Sequence, residues 1–241
     1  MINYSTSHGV DLHYKMYGNA LIHKSRNNAL TNLRPNATHA LFMDDDMLPE
    51  EDALLRLLAH GVPAVSALCT TRHHPVGIAA RAYNRETTEF GFVEKVKMNC
   101  LIRGDFAVGA AFLLVDRPTI EALIEHHLSA TDWLMDREKM FTRMEVSQRR
   151  RDIERKRVEA FRRERYAKDK HARIFDYGYH DNDIQMGEDL TFSLRLIQLG
   201  IPVHLDTGTP VAHVGEYTYG IWDMEVEAKD RPAPQPVGEA A

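Results

Sequence analysis

The segment Ala40-Leu41-Phe42-Met43 is wholly apolar and stops abruptly on Asp44-Asp45-Asp46. Continuous apolarity without alternation fits a strand covered on both faces, as in a parallel sheet between helical layers. The switch to carboxylates puts negative charge at that strand's carboxyl end, where open α/β sheets bind their ligands. Pro49, followed by Glu50, Glu51 and Asp52, predicts a helix start: proline suits the first turn, and carboxylates suit the positive end of the helix dipole. This helix is expected to reach about His60, with Gly61 ending it. Val62 to Leu68 is a second apolar run. Strand, helix and strand at this spacing predict a right-handed parallel crossover.

The same reading extends along the chain. Ala20 to Leu33 has helical spacing through Leu21, Ile22, Leu30 and Leu33, whereas residues 72–89 read as a polar loop. Phe90 to Val96 alternates as a half-exposed strand does, and Phe106 to Val115 is a further apolar strand. Asp116-Arg117-Pro118 then opens a helix to about His127. Trp133 to Lys170 combines good helix formers with scarcely any turn residue and predicts a long charged helix. Glu188 to Leu199 reads as an amphipathic helix ended by Gly200, and Ile201 to Leu205 as a strand. From about Asp223 the chain is acidic and then Pro/Ala-rich, the composition of a disordered tail. One α/β domain over residues 1–222 is expected, with a charged helical insertion at 134–172 and a tail at 223–241.

Three constellations carry chemistry. Along extended chain, residues i and i+2 point the same way, so Asp44 and Asp46 are expected to share one target. Clustered carboxylates repel unless a cation neutralises them, and their hard oxygens suit Mg²⁺ or Mn²⁺; a plain helix-capping loop is the alternative. Glu188 and Asp189, in Gly187-Glu188-Asp189-Leu190, either stabilise a helix start or supply a general base. His213 offers one imidazole near the end of an apolar segment, either structural or a metal ligand. His73-His74 and His126-His127 lack chelating spacing.

In order, the segments LFMDDDMLPEEDALLRLL, DFAVGAAFLLVDRPTIEALI and GEDLTFSLRLIQLGIPVHLDTGTPVAHVG resemble the GT-A glycosyltransferases, closest to glycosyltransferase family 2. The resemblance covers roughly residues 20–130 and 175–216. It implies a Rossmann-like, mostly parallel sheet flanked by helices and a metal-dependent sugar transfer from a nucleotide-sugar donor. On that resemblance Asp44 and Asp46 form the DxD pair, Asp44 and Asp45 lie against the donor, and His213 completes the site of Mn²⁺ or Mg²⁺. Asp189, or Glu188 beside it, becomes the base of an inverting reaction; in a retaining one these carboxylates position the acceptor. Arg26 and Asn27 resemble the Arg-Asn that precedes the DxD strand and are expected at the nucleotide. The family's usual first strand has no counterpart ahead of Ala40, and the charged insertion is unusual. The alternatives are therefore a truncated or inactive GT-A-like binding module, or another metal-dependent nucleotide enzyme; the latter lacks its expected Gly-rich phosphate loop.

Composition narrows the setting. At 44% apolar and 27% charged residues, the 241-residue chain has ordinary globular character, and no apolar run approaches a membrane span. The start, MINYSTSHGVDLHYK, lacks the basic and apolar regions of a secretory signal. Cys69 and Cys100 suit reduced core thiols, and a cytoplasmic location follows as the expectation. The net charge of −5 conceals thirteen Lys/Arg against six Asp/Glu between Arg143 and Arg173, a local +7 that leaves −12 elsewhere. Internal i,i+4 pairs account for part of this; the excess predicts a polyanion, nucleic acid or anionic lipid, at Arg149–Lys168. Binding to duplex DNA, single strands or anionic vesicles should then fall linearly in log salt. It should vanish when Arg149, Arg150, Arg151, Arg162 and Arg163 become Gln, whereas no binding at low salt would return the segment to a solvated helix.

Overall fold

The computed structural model describes residues 1–18, 21–72, 75–129, 174–175, 178–179, 185–215 and 218–221. The charged insertion and the tail lie outside the described residues. The fold is mixed α/β, and the chain divides into two compact units. The first takes the described residues of Met1–Leu12, Leu41–Leu114 and Val203–Ala241; the second takes those of His13–Ala40 and Val115–Pro202.

The first unit carries nearly all of a seven-stranded sheet. Its main order is β1 (His39–Met43), β8 (Phe112–Asp116), β3 (Ala64–Cys69), β11 (His204–Val214), β12 (Thr218–Tyr219). The strand β11 also pairs β2 (Met47–Leu48) and β6 (Leu101–Ile102). It runs parallel to β3 but antiparallel to β2, β6 and β12, so the sheet is mixed where the sequence predicts a mostly parallel one. Every residue of β3 is buried, as its unbroken apolar run requires. Between β1 and β3 lies α3 (Ala53–Ala59), which turns Ala53, Leu54 and Leu57 inward and ends ahead of Gly61 at φ +58°. These side chains pack with Val65, Phe112 and Val211 in one core.

Three expectations change. Pro49 does not open a helix: β2 precedes it and α3 begins at Ala53. The polar loop predicted at 72–89 contains β4 (Ala80–Asn84), which forms a hairpin with β5 (Glu89–Phe92) in the register Arg81↔Phe92 to Asn84↔Glu89. The apolar run 106–115 is two strands, not one. Its first part, β7 (Phe106–Val108), pairs β4 in a three-stranded antiparallel sheet; its second part is β8. Gly109-Ala110-Ala111 separates them, and hydrophobicity alone cannot reveal that break because both halves are buried.

Of the strand predicted at 201–205, only His204 and Leu205 are in a strand, as the start of the 11-residue β11. Its register against β3 shifts between Asp206 and Pro210, and this bulge is where a proline that cannot donate to the ladder is tolerated. Asp206, 3% exposed, holds the bulge together. Its carboxylate accepts the Gly208 N–H at 2.8 Å and the Thr209 hydroxyl at 2.6 Å. His60 Nε2 lies 3.0 Å from Asp206 Oδ2, off the line of a hydrogen bond. Cys69 is buried and reduced, and burial pushes its thiol up to about 12. Cys100 is only half-buried, beside Thr207, rather than in the core.

The first unit also contains α1 (Ile2–Ser7) at its start. The second unit contains α2 (Ile22–Thr31), α4 (Arg117–Ser129) and α5 (Glu188–Gln198), together with the pair β9 (Gly178–Tyr179) and β10 (Gln185–Met186). Asp116 caps α4 by accepting the Thr119 N–H at 2.8 Å, and Pro118 sits in its first turn as predicted. Among the described residues, no helix is long and apolar enough to cross a membrane.

Asp206→Ala should cost about 2–4 kcal/mol, because it strips a buried turn of two charge-assisted hydrogen bonds. Denaturant unfolding with an unchanged m-value would measure it; a loss below about 0.5 kcal/mol would remove Asp206 from this role.

Candidate functional site

The first group of site residues stands at the end of β1. Asp44 is fixed there by its N–H, which donates to the Ala111 carbonyl at 3.0 Å. The chain then turns, with Met47 N–H donating to the Asp44 carbonyl at 3.3 Å, so Asp44 and Asp46 belong to a turn and not to extended chain. The i,i+2 argument for their common direction therefore fails, although both remain half-buried while Asp45 is exposed.

His213 reaches this turn from β11. Its strand is paired on both sides here, His213↔Met47 in β2 and His213↔Tyr219 in β12, and Val214 N–H donates to the Asp46 carbonyl at 2.7 Å. The imidazole is 8% exposed and hydrogen-bonds the backbone of Thr70, but its Nδ1 has no hydrogen-bond partner. Burial lowers its pKa, with Arg72 adding to that effect, while Asp46 and Asp44 pull it upward. A buried ring with an orphaned nitrogen, within electrostatic reach of Asp46 and Asp44, results.

Arg72 is the residue that sequence reading missed. Its guanidinium donates to Asp46 Oδ2 at 2.5 Å, and its side chain is otherwise well exposed. It lies just past the end of β3, on a loop closed by the Thr71 N–H to Gly77 carbonyl bond at 2.9 Å and by Gly77 N–H to the Thr71 hydroxyl at 2.9 Å. An arginine three residues beyond a buried strand was the available signal, hidden by its assignment to a polar loop. Among the described residues, no three His, Cys, Asp or Glu side chains sit together as a metal-holding group. Asp46 is drawn to Arg72 instead.

The second group belongs to the second unit. Glu188 and Asp189 occupy the first turn of α5, after Gly187, as predicted. Arg26, on α2, is 7% exposed and donates to Glu188 Oε1 at 2.8 Å while lying over the Phe175 ring. Asn27 is also buried and accepts the Phe175 N–H through Oδ1 at 2.9 Å. Arg195, buried on α5, donates to the Ile174 carbonyl at 2.5 Å and braces the same segment. The two carboxylates thus differ. Glu188 is paired to a guanidinium, whereas burial raises the pKa of Asp189, the Glu188 charge raises it further, and the Leu190 N–H and Arg26 oppose the shift. Of the pair, Asp189 has the environment of a base.

The raised pKa has a consequence for stability. Ionising Asp189 is harder in the fold than in the unfolded chain, so its contribution is intact below the ordinary value of 3.8 and is lost as pH rises through the folded pKa. Asp189→Asn keeps the shape and the acceptor for Leu190 without that loss. The variant should unfold at a higher temperature than wild type near pH 8, with the difference shrinking toward pH 4. A difference independent of pH would remove the shift.

No protein-family model and no curated protein matches the sequence. A solved structure, the crystal structure of A197 from STIV, is similar over 89% of this chain and 78% of its own, at 10% identity and a TM-score of 0.43. A likeness this distant carries no argument about function.

Proposed function

We propose that the chain is a GT-A-type, metal-dependent glycosyltransferase that moves a sugar from a nucleotide-sugar to an acceptor hydroxyl. The observation that carries this reading is the buried His213 Nδ1, without a hydrogen-bond partner, beside the Asp44–Asp46 turn at the end of a buried strand. Two carboxylates and an imidazole are donor types that suit Mn²⁺ or Mg²⁺. An unpaired buried nitrogen is costly to maintain and calls for a partner. The donor types suit such a cation, but among the described residues they do not converge as a metal-holding group, and Asp46 is engaged by Arg72.

In this reading Asp44, Asp46 and His213 would hold the cation, and the cation would supply charge stabilisation for the departing nucleotide. Within the second unit, Asp189 is the carboxylate whose raised affinity for protons suits a general base. Arg26 holds Glu188 in place through their ion pair. A second reading, a nucleotide-binding module without turnover, draws on the hold of Arg72 on Asp46.

Thermal shift against a panel of nucleotide-sugars, with and without Mn²⁺, should single out one donor class. A ligand at about a hundred times its Kd adds about 2.7 kcal/mol of stability. Asp46→Ala should remove the Mn²⁺-dependent part and keep the fold, and Asp189→Asn should cut turnover about 10²–10⁴-fold with donor binding little changed. Donor binding without release of sugar would favour the non-catalytic module. Wild-type Mn²⁺ and donor affinities in Asp46→Ala would sink the metal assignment.

A further inference from the structure

The register of the β4–β5 hairpin, in the first unit, sorts its side chains by chemistry. Arg81 stands opposite Phe92 and Tyr83 opposite Phe90, so these four share one face, while Ala82, Asn84, Glu89 and Gly91 take the other. One face therefore carries three aromatic rings and a guanidinium, and the carboxylate of the two strands lies on the opposite face. The Tyr83 and Phe90 rings are 4.9 Å apart and inclined at 50°, a tilted cross-strand pair in which both residues are half-buried. The neighbouring pair is more open. Arg81 lies over the Phe92 ring with its guanidinium carbon 4.5 Å from the centroid, and Phe92 is 74% exposed.

A lone exposed phenylalanine needs no explanation. Two observations set this one apart. Among the described residues, β5 is an edge strand of its three-stranded sheet, so a large apolar ring stands where edges ordinarily carry protective charge. Arg81, in addition, forms no ion pair among the described residues, whereas Arg85 at the hairpin turn is held by Asp105. The Phe92 ring supports the guanidinium through its π face, which leaves the N–H groups of the planar fork to find an acceptor. A cation without a carboxylate, beside an open ring, suits an anion that carries flat rings of its own.

We propose that this face of the β4–β5 hairpin binds single-stranded nucleic acid, with a base stacked on Phe92 and a backbone phosphate paired to Arg81. Every base has a π face and the phosphate contact carries no sequence information, so the binding is sequence-tolerant. A duplex is excluded from the stack because its bases are enclosed within the helix. An oligosaccharide could cover the ring but offers the guanidinium no anion; a single strand engages both groups. The metal and donor assignments above are not needed for this surface.

The test is fluorescence anisotropy of labelled oligothymidylate, beside a duplex of similar length, on the full chain across a salt series. Phe92→Ala should weaken single-strand binding about five- to a hundredfold, the effect of losing one base–aromatic stack, and leave duplex binding unchanged. Phe92→Leu keeps apolar bulk on the edge strand and should lose nearly as much. Phe92→Trp should retain binding, and its added indole emission should be quenched as the oligonucleotide stacks. Arg81→Gln should weaken binding and lower the log–log salt slope by about 0.7, the share of one phosphate contact on a single strand. Ala82→Gln, on the opposite face, should change neither. Each measurement is repeated with Arg149, Arg150, Arg151, Arg162 and Arg163 changed to Gln, where the fold-loss from Phe92→Ala should persist; charge in that segment is thereby separated from stacking on the hairpin.

No single-strand binding at low salt, or equal affinity in wild type and Phe92→Ala, overturns the proposal. So does Phe92→Trp emission that the oligonucleotide leaves unquenched. Duplex bound as tightly as single strand, with both weakened by Arg81→Gln and neither by Phe92→Ala, reduces the face to a plain cationic patch and overturns it too. Quenching of Phe92→Trp by neutral oligosaccharides and not by oligothymidylate overturns it in favour of a sugar-binding face. Circular dichroism and thermal unfolding of each variant check the fold, which substitution of an exposed side chain should leave intact. Should Phe92→Ala loosen the hairpin, Phe92→Leu and Phe92→Trp carry the test.

Discussion

The pairing of β11 is the constraint on which the first unit depends. From His204 to Val211 this strand lies parallel to the fully buried β3 and contributes Leu205 and Val211 to the surrounding core. Over Ala212–Val214 it pairs the short strands β2 and β12, both antiparallel to it. One strand thus anchors in the hydrophobic interior and delivers His213 to the turn that follows β1. The Asp206 bulge lies within the stretch paired to β3. It absorbs the register shift and accommodates Pro210, with a buried carboxylate whose hydrogen bonds satisfy the backbone that the bulge exposes.

Electrostatics divides the acidic residues by partner. Asp46 has Arg72, Glu188 has Arg26, and Asp105 has Arg85, so each of these carboxylates stands beside a guanidinium. The pairs are not equivalent. Arg26 and Glu188 are both largely buried, where breaking a pair leaves an uncompensated charge at high cost, and such a pair acts as fixed structure. Arg72 is largely exposed, where an ion pair contributes at most about 1 kcal/mol. Burial therefore sorts a structural arginine from a weakly held one, although the two contacts look alike as distances. Asp189 is set apart by its raised pKa, and His213 by a nitrogen for which the fold supplies no partner.

Several elements were legible because one local signal sufficed. Gly61 and Gly200 adopt positive φ at the ends of α3 and α5, the conformation that glycine tolerates best. Asp116 and Pro118 mark the start of α4 through a cap and a preset φ, and the unbroken apolar run of β3 reads directly as burial on both faces. The misreadings share a cause. The boundary between β7 and β8 and the strand β4 depend on which partner each segment finds, and neither hydrophobicity nor turn residues encode the partner. The assignment of Pro49 to a helix start failed similarly, because pairing of Met47 and Leu48 with β11 extends the chain just ahead of it.

For the candidate site, the sequence by itself determined the chemistry on offer: a carboxylate cluster at a strand end, an acidic pair in the first turn of a helix, and a histidine late in the chain. Residue type and local spacing fix these, since capping, strand burial and metal-donor character are properties of short segments. The tertiary structure alone decided what each group faces. It turned the chain at Asp44–Met47 where extended geometry had been expected, paired Arg26 with Glu188 and Arg72 with Asp46, and left His213 Nδ1 buried without a partner. Arg26 and Glu188 are separated by 162 residues, and the long β11 crosses a comparable span of sequence to reach β2. Contacts of that range are set by packing of whole elements, and charge pairing, desolvation and the resulting pKa shifts follow from it.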